Sequence, residues 1–276
     1  MTSIGQWLSE VRDLPRLDCE ILLCESLNVN RARILAFPED DIPENSEHYL
    51  NQQISALRTG LPLAYVLGER EFWGLTFSVN TDVLIPRPET ELLVELAIQL
   101  TPPNGHVLDL GTGSGAIAVA VAHERPDITM TAVDSSRPAL AVARQNADTH
   151  NVDVSFIDSD WFSALDQRWD VIVSNPPYVA ADDPHLPALR AEPSRALIAA
   201  DKGMADIRAI ITQSASYLSP GGSLMIEHGY DQAAGVREEF SHAGFEKVSS
   251  KRDLADIERV TLGSLTSLSS QQTPGP

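Results

Sequence analysis

Residues 169–178 read WDVIVSNPPY, and this stretch decides the fold. Its β-branched run at 171–173 predicts a buried strand. The two prolines that follow carry no backbone N–H group, so the strand must end at them. The sequence therefore predicts a stiff corner at a strand's carboxyl end, which presents the Asn175 side chain, the Pro176 carbonyl oxygen and the Tyr178 ring.

The predicted corner suits the chemistry of a planar NH2 group, on an amide or a nucleobase. The lone pair of such a nitrogen is delocalised, which makes it a poor nucleophile. The Asn175 side-chain oxygen and the Pro176 carbonyl can each accept one of its protons and so turn its lone pair in one direction. The candidate catalytic residues are Asn175, Pro176 and Tyr178, and Pro177 joins them as a candidate substrate-binding residue. Taken alone, these four residues also fit an ordinary strand-ending turn.

The composition indicates a folded, acidic chain. Its 276 residues are 43% hydrophobic, enough for one large or two modest domains. We expect a soluble cytoplasmic protein, because no apolar run reaches the ~18 residues of a membrane span and no signal peptide is visible. A net charge of −19 without a basic patch argues against tight nucleic-acid binding. Cys19 and Cys24 have no partner motif and predict buried free thiols, with no metal site.

The order of patterns along the chain predicts a small helical domain followed by an α/β domain. Residues 1–70 carry helix-spaced apolar residues interrupted by prolines. Residues 71–85 predict a β-hairpin linker, and from 86 to 265 strands alternate with helices as in a doubly wound sheet. Residues 266–276 lack any periodicity and predict a disordered tail. The predicted strands are 107–110, 128–133, 154–157, 169–174, 223–227, 245–250 and 259–265. The predicted helices of this domain are 89–100, 116–123, 138–149 and 206–218.

The loop DLGTGSG at 109–115 predicts a cofactor site after the first strand of the α/β domain. Its glycines permit a tight turn and a close approach of ligand to backbone. Asp134 ends the second strand, where a carboxylate can accept hydrogen bonds from both hydroxyls of a ribose. Asp160 can accept from an adenine amino group, and the Trp161 indole can cover the ring. The candidate cofactor-binding residues are Asp109, Gly111, Thr112, Gly113, Ser114, Gly115, Asp134, Asp160, Trp161 and Asn175.

Two cofactors match this outline, NAD and S-adenosylmethionine. Asp109 places a carboxylate beside the expected position of a pyrophosphate, which repels a dinucleotide but suits the cationic S-adenosylmethionine. Ligands of open α/β sheets bind at the carboxyl ends of the strands, so the corner and the glycine loop should share one edge. The combination predicts a Rossmann-like class I S-adenosylmethionine-dependent methyltransferase with a small N-terminal helical domain. Arg87 and Glu89 precede this domain and are expected at its mouth.

From Trp7 to Gly263 the chain resembles the peptide chain release factor glutamine methyltransferases, the HemK or PrmC family. The resemblance implies methylation of the glutamine side-chain nitrogen in a Gly-Gly-Gln loop of class 1 release factors, and a helical domain, residues 1–70, that helps hold that substrate. Glu192 and Pro193 match a family segment near the active site, without an assigned role. The resemblance rests on LIPRPETE (84–91), LDLGTGSGAIA (108–118), SDWFSAL (159–165), VSNPPY (173–178), GMADI (203–207), LMIEHG (224–229) and ERVTLG (258–263).

Three other classes remain open from the residues alone. A methyltransferase for base amino groups in DNA or RNA would use the same corner, but it predicts a basic cleft or a target-recognition domain. An NAD-dependent dehydrogenase shares the glycine loop. A non-catalytic adaptor would bind S-adenosylmethionine without needing the corner. We expect a monomer, and we interpret His228 as a structural histidine and not as a base.

Overall fold

A computed structural model describes residues 2–266, and its contacts divide the chain into two units, Met1–Glu69 and Arg70–Pro276. Each unit has its own hydrophobic core. The predicted disordered tail lies outside the described residues, apart from Thr266.

The first unit is helical, and prolines set where several of its helices begin. Pro15, Pro43 and Pro62 directly precede helices, where a missing N–H costs no hydrogen bond. Leu22 and Leu50 are fully buried between two of these helices. The helices are α1 (Ile4–Glu10), α2 (Arg16–Leu27), α3 (Arg31–Ala36), α4 (Glu44–Arg58) and α5 (Leu63–Leu67).

The two cysteines of this unit carry free thiols. Cys19 is buried, but Cys24 is only partly buried, so the prediction of two buried thiols is right for the first alone. Within residues 2–266, no group of three His, Cys, Asp or Glu side chains is arranged to hold a metal ion. No helix in that range combines the length and the apolar surface needed to cross a membrane.

The second unit alternates strands and helices, as predicted. A short hairpin precedes the main sheet. The strands are β1 (Glu69–Phe72), β2 (Leu75–Ser78), β3 (His106–Leu110), β4 (Thr129–Asp134), β5 (Val154–Asp158), β6 (Trp169–Ser174), β7 (Leu218–Glu227), β8 (Glu246–Arg252) and β9 (Glu258–Ser264). The helices are α6 (Glu91–Leu100), α7 (Ala116–Glu124), α8 (Arg137–His150), α9 (Ala205–Ser214) and α10 (Ala233–His242).

The main sheet has seven strands in the order β5-β4-β3-β6-β7-β9-β8. Strands β3 to β7 run parallel, and β9 is antiparallel to both of its neighbours. The chain moves outward from β3 to β5 and then returns to β6, so the strand order reverses between β3 and β6. Such a reversal opens a crevice at the carboxyl ends of the strands. This topology confirms the predicted α/β class.

Side chains of the central strands alternate between two cores. Val107 and Val171 pack on one face with helices α6 and α7, while Leu108 and Ile172 pack on the other with α9 and α10. Both faces are covered, which explains why residues 171–173 of β6 form a continuous apolar run. The central strands that lead to the crevice are therefore held in place by packing on both faces.

The hairpin of β1 and β2 is tied to the glycine loop by Asn146 of α8. The Ser78 N–H donates to Asn146 Oδ1 at 2.7 Å. Asn146 Nδ2 donates to the Ser78 carbonyl at 3.1 Å and to the Ser114 carbonyl at 2.8 Å. One fully buried amide thus joins hairpin, helix and loop.

Several element bounds differ from the prediction. Strand β7 begins at Leu218 instead of Ser223, because its pairing with β6 continues across a register shift between Trp169 and Val171. Helix α9 accordingly ends at Ser214, before the predicted Leu218. Helices α5 and α10 were not predicted from the sequence.

Candidate active site

A cleft of about 260 Å³ lies at the carboxyl ends of the central strands. Loops that follow four neighbouring strands line it, which is where the strand order predicts a ligand. Among the predicted residues, the lining includes Gly111, Thr112, Gly113, Ser114, Asp134, Asp160, Trp161, Asn175 and Pro177. It also includes Asp82, Arg87, Thr90, Ser136, Arg195 and Asp206.

The glycine loop is fixed to the neighbouring strand and leaves room for a ring. The N–H groups of Gly111 and Thr112 both donate to the Val133 carbonyl, each at 2.9 Å. Gly111 has a φ of +74°, and a Cβ added there would lie 3.2 Å from the Trp161 ring. Only glycine fits this turn without moving the indole. A Cβ at Gly113 would meet no atom within 4 Å, so the loop faces open space there.

Asp109 lies beneath the glycine loop and does not line the cleft. Its side chain is fully buried, and Oδ2 accepts a hydrogen bond of 2.6 Å from the Thr112 hydroxyl. Burial raises the pKa of Asp109 to about 7, and the nearby charge of Asp134 acts in the same direction. In this structure Asp109 therefore orients a residue of the cleft wall, and its predicted contact with a cofactor stays a prediction.

Asp134 is held by the backbone and faces the cleft. Its Oδ2 accepts from the Gly113 N–H at 2.9 Å, and its Oδ1 accepts from the Ser136 N–H at 2.8 Å. Each carboxylate oxygen retains a further acceptor site. A fixed pair of acceptors of this kind suits the vicinal hydroxyls of a ribose. The Arg195 side chain, from a distant loop, donates to the Ser136 hydroxyl beside it.

Trp161 closes one wall of the cleft in an uncommon backbone conformation. Its φ is +48°, which turns the indole toward Gly111. Burial and the charge of Asp160 raise the pKa of Asp206. A hydrogen bond with the Trp161 indole offsets part of that rise. The wall therefore combines a flat aromatic face with two carboxylates, a set that suits an aminopurine.

Carboxylates outnumber basic groups among the residues that line the cleft. Such a field attracts a cationic ligand and repels a pyrophosphate. The acidic lining residues are Asp82, Asp134, Asp160 and Asp206, and the basic lining residues are Arg87 and Arg195.

The proline corner joins the cleft at the end of β6. The Ser174 hydroxyl donates to the Leu110 carbonyl at 2.7 Å, which fixes the strand end to β3. Asn175 Nδ2 donates to the Thr90 hydroxyl oxygen at 3.1 Å. Asn175 lines the cleft, so its side chain can meet a ligand there. Pro176 is buried and is not among the lining residues, so the predicted role of its carbonyl stays a prediction.

Tyr178 does not line the cleft, although its two neighbours in the corner, Asn175 and Pro177, do. Its ring packs at the edge of the core, and its hydroxyl lies 3.5 Å from Glu227 Oε1. Its carbonyl accepts from Gln232 Nε2 at 3.0 Å. Burial raises the pKa of the Tyr178 phenol. The predicted stacking of this ring on a substrate stays a prediction.

Glu192 braces the wall of the cleft that contains the LIPRPETE motif. Its side chain is 3% exposed and accepts from Arg87 Nη2 at 2.5 Å and from the Ile85 N–H at 3.1 Å. Arg87 lines the cleft as expected, whereas Glu89 is not among the lining residues. This is a structural role for the motif segment to which the sequence assigned none.

His228 is engaged through both ring nitrogens. They contact the Gly229 carbonyl and the Thr261 hydroxyl, each at 2.9 Å. Burial lowers the pKa of His228, so the neutral ring is favoured. The residue does not line the cleft.

Sequence reasoning missed Thr90, Arg195 and Asp206 as residues of the cleft. Thr90 lies inside the LIPRPETE motif and Asp206 inside GMADI, so both motifs carried a signal that was not assigned. Arg195 follows no recognisable pattern and reaches the cleft only through the fold.

The doubly wound sheet with an antiparallel β9, together with the glycine loop and the proline corner on one cleft, defines a class I methyltransferase. The family "Methyltransferase small domain" matches residues 88–191, and "PrmC N-terminal domain" matches residues 4–68. A solved methyltransferase from Pyrococcus furiosus shares the fold, with a TM-score of 0.56 and 15% identity over 81% of this chain and 100% of that chain.

Comparison with relatives by sequence narrows the family further. The release factor glutamine methyltransferase of Escherichia coli (strain K12) is 46% identical over 268 residues, which covers 93% of this chain and 97% of that protein. The protein with the same name from Coxiella burnetii is 42% identical over 262 residues, 94% of this chain and 95% of that protein. This chain belongs to the release factor glutamine methyltransferase family, and the predicted resemblance is confirmed.

Proposed function

We propose that this enzyme transfers a methyl group from S-adenosylmethionine to the side-chain amide nitrogen of the glutamine in the Gly-Gly-Gln loop of class 1 release factors. The observation that carries the proposal is the presence of Asn175 and Pro177 on the same cleft as Gly111, Asp134 and Trp161. Family membership supports the substrate, because the relatives are named for it.

The cleft fits the parts of S-adenosylmethionine, which supplies an activated methyl group when bound. Asp134 would hold the ribose hydroxyls with its two backbone-fixed oxygens. Trp161 and Asp160 would hold the adenine through its face and its amino group. Gly111 would leave the space that a side chain would fill against the indole. The excess of carboxylates favours a cationic ligand and disfavours NAD.

The corner would act on the substrate by positioning. Asn175 Oδ1 and the Pro176 carbonyl would each accept one proton of the glutamine NH2 group, so that the nitrogen lone pair faces the donor. Orientation of this kind supplies on the order of 7–11 kcal/mol of barrier reduction. No group at the corner is basic enough to deprotonate an amide beforehand. We therefore expect the proton to leave after the nitrogen has been alkylated.

The helical unit, Met1–Glu69, would hold the release factor. It carries exposed apolar side chains, Leu17, Leu35, Phe37 and Tyr49, which offer contact area to a protein. We further propose that the enzyme is a monomer and acts in the cytoplasm, where its substrate works. With a net charge of −19 it would not bind nucleic acid tightly.

The decisive experiment is transfer of a labelled methyl group from S-adenosylmethionine to purified class 1 release factor. A release factor whose loop glutamine is replaced by alanine is the matched control. We expect label on the first and none on the second. Label on naked DNA or RNA, with none on the release factor, would instead establish a base amino methyltransferase.

Cofactor choice is tested separately by calorimetry with S-adenosylmethionine and with NAD. We expect heat of binding from the first alone. Binding of S-adenosylmethionine without transfer to any of these substrates would identify a non-catalytic adaptor.

A further inference from the structure

A short segment of the loop that follows the proline corner is fastened to the cleft at both of its ends. We call this segment, residues 192–195, the strap. At its first residue, the Glu192 side chain accepts from Arg87 Nη2 at 2.5 Å and from a backbone N–H at 3.1 Å. At its last residue, the Arg195 side chain donates to the Ser136 hydroxyl. Arg87, Ser136 and Arg195 all line the cleft.

The two fastenings lie on different sides of the glycine loop. Ser136 follows β4, whereas the wall that contains Arg87 is joined to the end of β6 by the 3.1 Å hydrogen bond between Asn175 and Thr90. Strand β3, which leads into the glycine loop, lies between β4 and β6. Neighbouring strands lie about 4.8 Å apart, so the ends of β4 and β6 are roughly 10 Å apart. Three extended residue steps also span ~10 Å, so the strap is long enough to cross in front of the glycine loop.

The two fastenings differ in how easily they open. Glu192 is 3% exposed, and both of its carboxylate oxygens are engaged, so breaking its contacts would leave a buried charge unpaired. Arg195 is exposed, and its partner is a neutral hydroxyl. An exposed guanidinium is solvated by water once it leaves a hydroxyl, so this hydrogen bond opens at a modest cost. The strap should therefore stay anchored at Glu192 and open at Arg195.

The chain just beyond the strap is held beside the proline corner. The Val179 N–H donates to the Leu197 carbonyl at 2.9 Å, and the Ala199 N–H donates to the Val179 carbonyl at 3.0 Å. Val179 directly follows the corner. An opening at Arg195 is thus confined to the few residues between Glu192 and Leu197.

We propose that the strap retains S-adenosylmethionine in the cleft, and that Arg195 is the positioning residue that fastens and releases it. The cofactor enters and leaves while Arg195 is detached from Ser136. The inference rests on the cofactor of the proposed function and not on the identity of the methyl acceptor. Charge alone predicts the opposite effect of Arg195: the cofactor carries a net positive charge, so a nearby guanidinium weakens its binding.

The test measures cofactor release by Arg195→Gln in stopped-flow fluorescence, with the Trp161 indole on the cleft wall as the reporter. We expect koff for S-adenosylmethionine to rise about 10-fold, because a hydrogen bond of a charged group contributes a factor of this order. The value of kon should not fall. Arg195→Lys keeps the charge and a donor, and it should restore most of the slow release.

Arg137→Gln is the matched control. Arg137 directly follows Ser136, pairs with Asp158 at 2.6 Å, and is not among the lining residues. Its replacement removes the same charge beside the cleft and leaves the strap fastened, so koff should stay within about twofold of normal.

Hydrogen exchange of the backbone amides of residues 196–198 provides a readout that does not depend on turnover. These amides donate to carbonyls at residues 193 and 194, so their exchange reports opening of the strap. We expect S-adenosylmethionine to slow this exchange in the unmodified enzyme and to slow it less in Arg195→Gln. Should Arg195→Gln not fold, the exchange of the unmodified enzyme still tests the strap.

Four results would overturn the inference and leave the proposed function standing: normal koff in Arg195→Gln, tighter cofactor binding in that variant, Arg195→Lys no better than Arg195→Gln, or exchange that the cofactor does not slow. Binding of the cofactor without transfer to the release factor would overturn the proposed methyl acceptor and leave the strap standing. Failure of the unmodified enzyme to bind S-adenosylmethionine would overturn both.

Discussion

The carboxyl groups of Asp109 and Glu227 are both buried in the second unit. Asp109 accepts from the Thr112 hydroxyl at 2.6 Å, and Glu227 Oε1 lies 3.5 Å from the Tyr178 hydroxyl. Burial raises the pKa of both acids to about 7. Retaining a buried carboxyl group lowers stability, and such groups concentrate at functional sites. Asp109 therefore serves the cleft indirectly, through the Thr112 hydroxyl that it orients.

Replacing Asp109 with asparagine should change the pH dependence of stability. An acid whose pKa is higher in the folded state binds its proton more tightly when folded. Its contribution to the free energy of unfolding therefore falls as pH rises from the unfolded value, 3.8, to about 7, and is constant above that. Between pH 5 and 7, unmodified enzyme should lose up to about 1.4 kcal/mol per pH unit relative to Asp109→Asn.

Urea unfolding at a series of pH values measures this difference. Asp127→Asn is the control, because the hydrogen bond from Arg125 lowers the pKa of Asp127 and its contribution is fully present above pH 5. The difference between that variant and the unmodified enzyme should stay constant across the range. A constant difference for Asp109→Asn as well would show that this carboxyl is ionised in the folded state throughout.

Replacing Asn175 with alanine removes one of the two proposed acceptors for the substrate amide. We expect kcat to fall by at least about 100-fold, because the remaining acceptor cannot orient the nitrogen alone. The Kd for S-adenosylmethionine should change little, since many other residues line the cleft. Turnover and calorimetry measure the two quantities, and a variant with near-normal turnover would refute the role.

At the scale of elements, the sequence predicted the bounds of a strand accurately where a residue that cannot continue the strand, such as proline, marks its end. Strand β6 matches its prediction, Trp169–Ser174, because a β-branched run meets two prolines. Strand β7 does not match its prediction, because it begins at Leu218 instead of Ser223 and continues through an irregularity in its pairing with β6. Helix α10 contains Gly235, which weakens a helical pattern, and tertiary packing overrides that preference.

The same contrast holds for the site. Asp134, Trp161 and Asn175 could be placed together from sequence because each lies at or just after the end of a strand, and parallel strands end at a common edge. Arg195 could not, because it comes from a segment without periodicity, whereas Thr90 lies in a motif whose signal was not assigned.

The turn before α9 packs directly on the proline corner, which gives an element-scale prediction. Gly203 has a φ of +85°, and a Cβ there would lie 2.0 Å from the Tyr178 carbonyl oxygen. Gly203→Ala should lower the melting temperature and kcat together, because the corner must move. Gly244→Ala is a matched control: its φ is +82° and a Cβ there meets nothing within 4 Å.

The Gly244→Ala variant should lose about 1–2 kcal/mol of stability, which is the cost of placing alanine in left-handed backbone geometry, and it should keep its kcat. Melting curves and turnover of the two variants decide the matter. Equal losses of stability with normal kcat in both would mean that the turn does not support the corner.

At the scale of the whole molecule, the two units are separate in their cores and in their chemistry. Core residues of the first unit all precede residue 68, and those of the second all follow residue 71. All residues that line the cleft lie between Asp82 and Asp206. The second unit should therefore contain the complete site for cofactor and amide, and the first unit is available for holding the substrate.

A chain of residues 69–276 tests this division. We expect it to fold by circular dichroism and to bind S-adenosylmethionine as the full chain does. Its kcat/KM for the release factor should fall about 10²-fold, mainly through KM, because a second contact to one substrate raises the effective concentration by this order. A short Gly-Gly-Gln peptide, which spans only the cleft, should be methylated equally slowly by both chains. Normal kcat/KM of the shortened chain on the release factor would show that the helical unit does not hold the substrate. Slower methylation of the peptide by the shortened chain than by the full chain would show that the unit is needed to form the cleft itself.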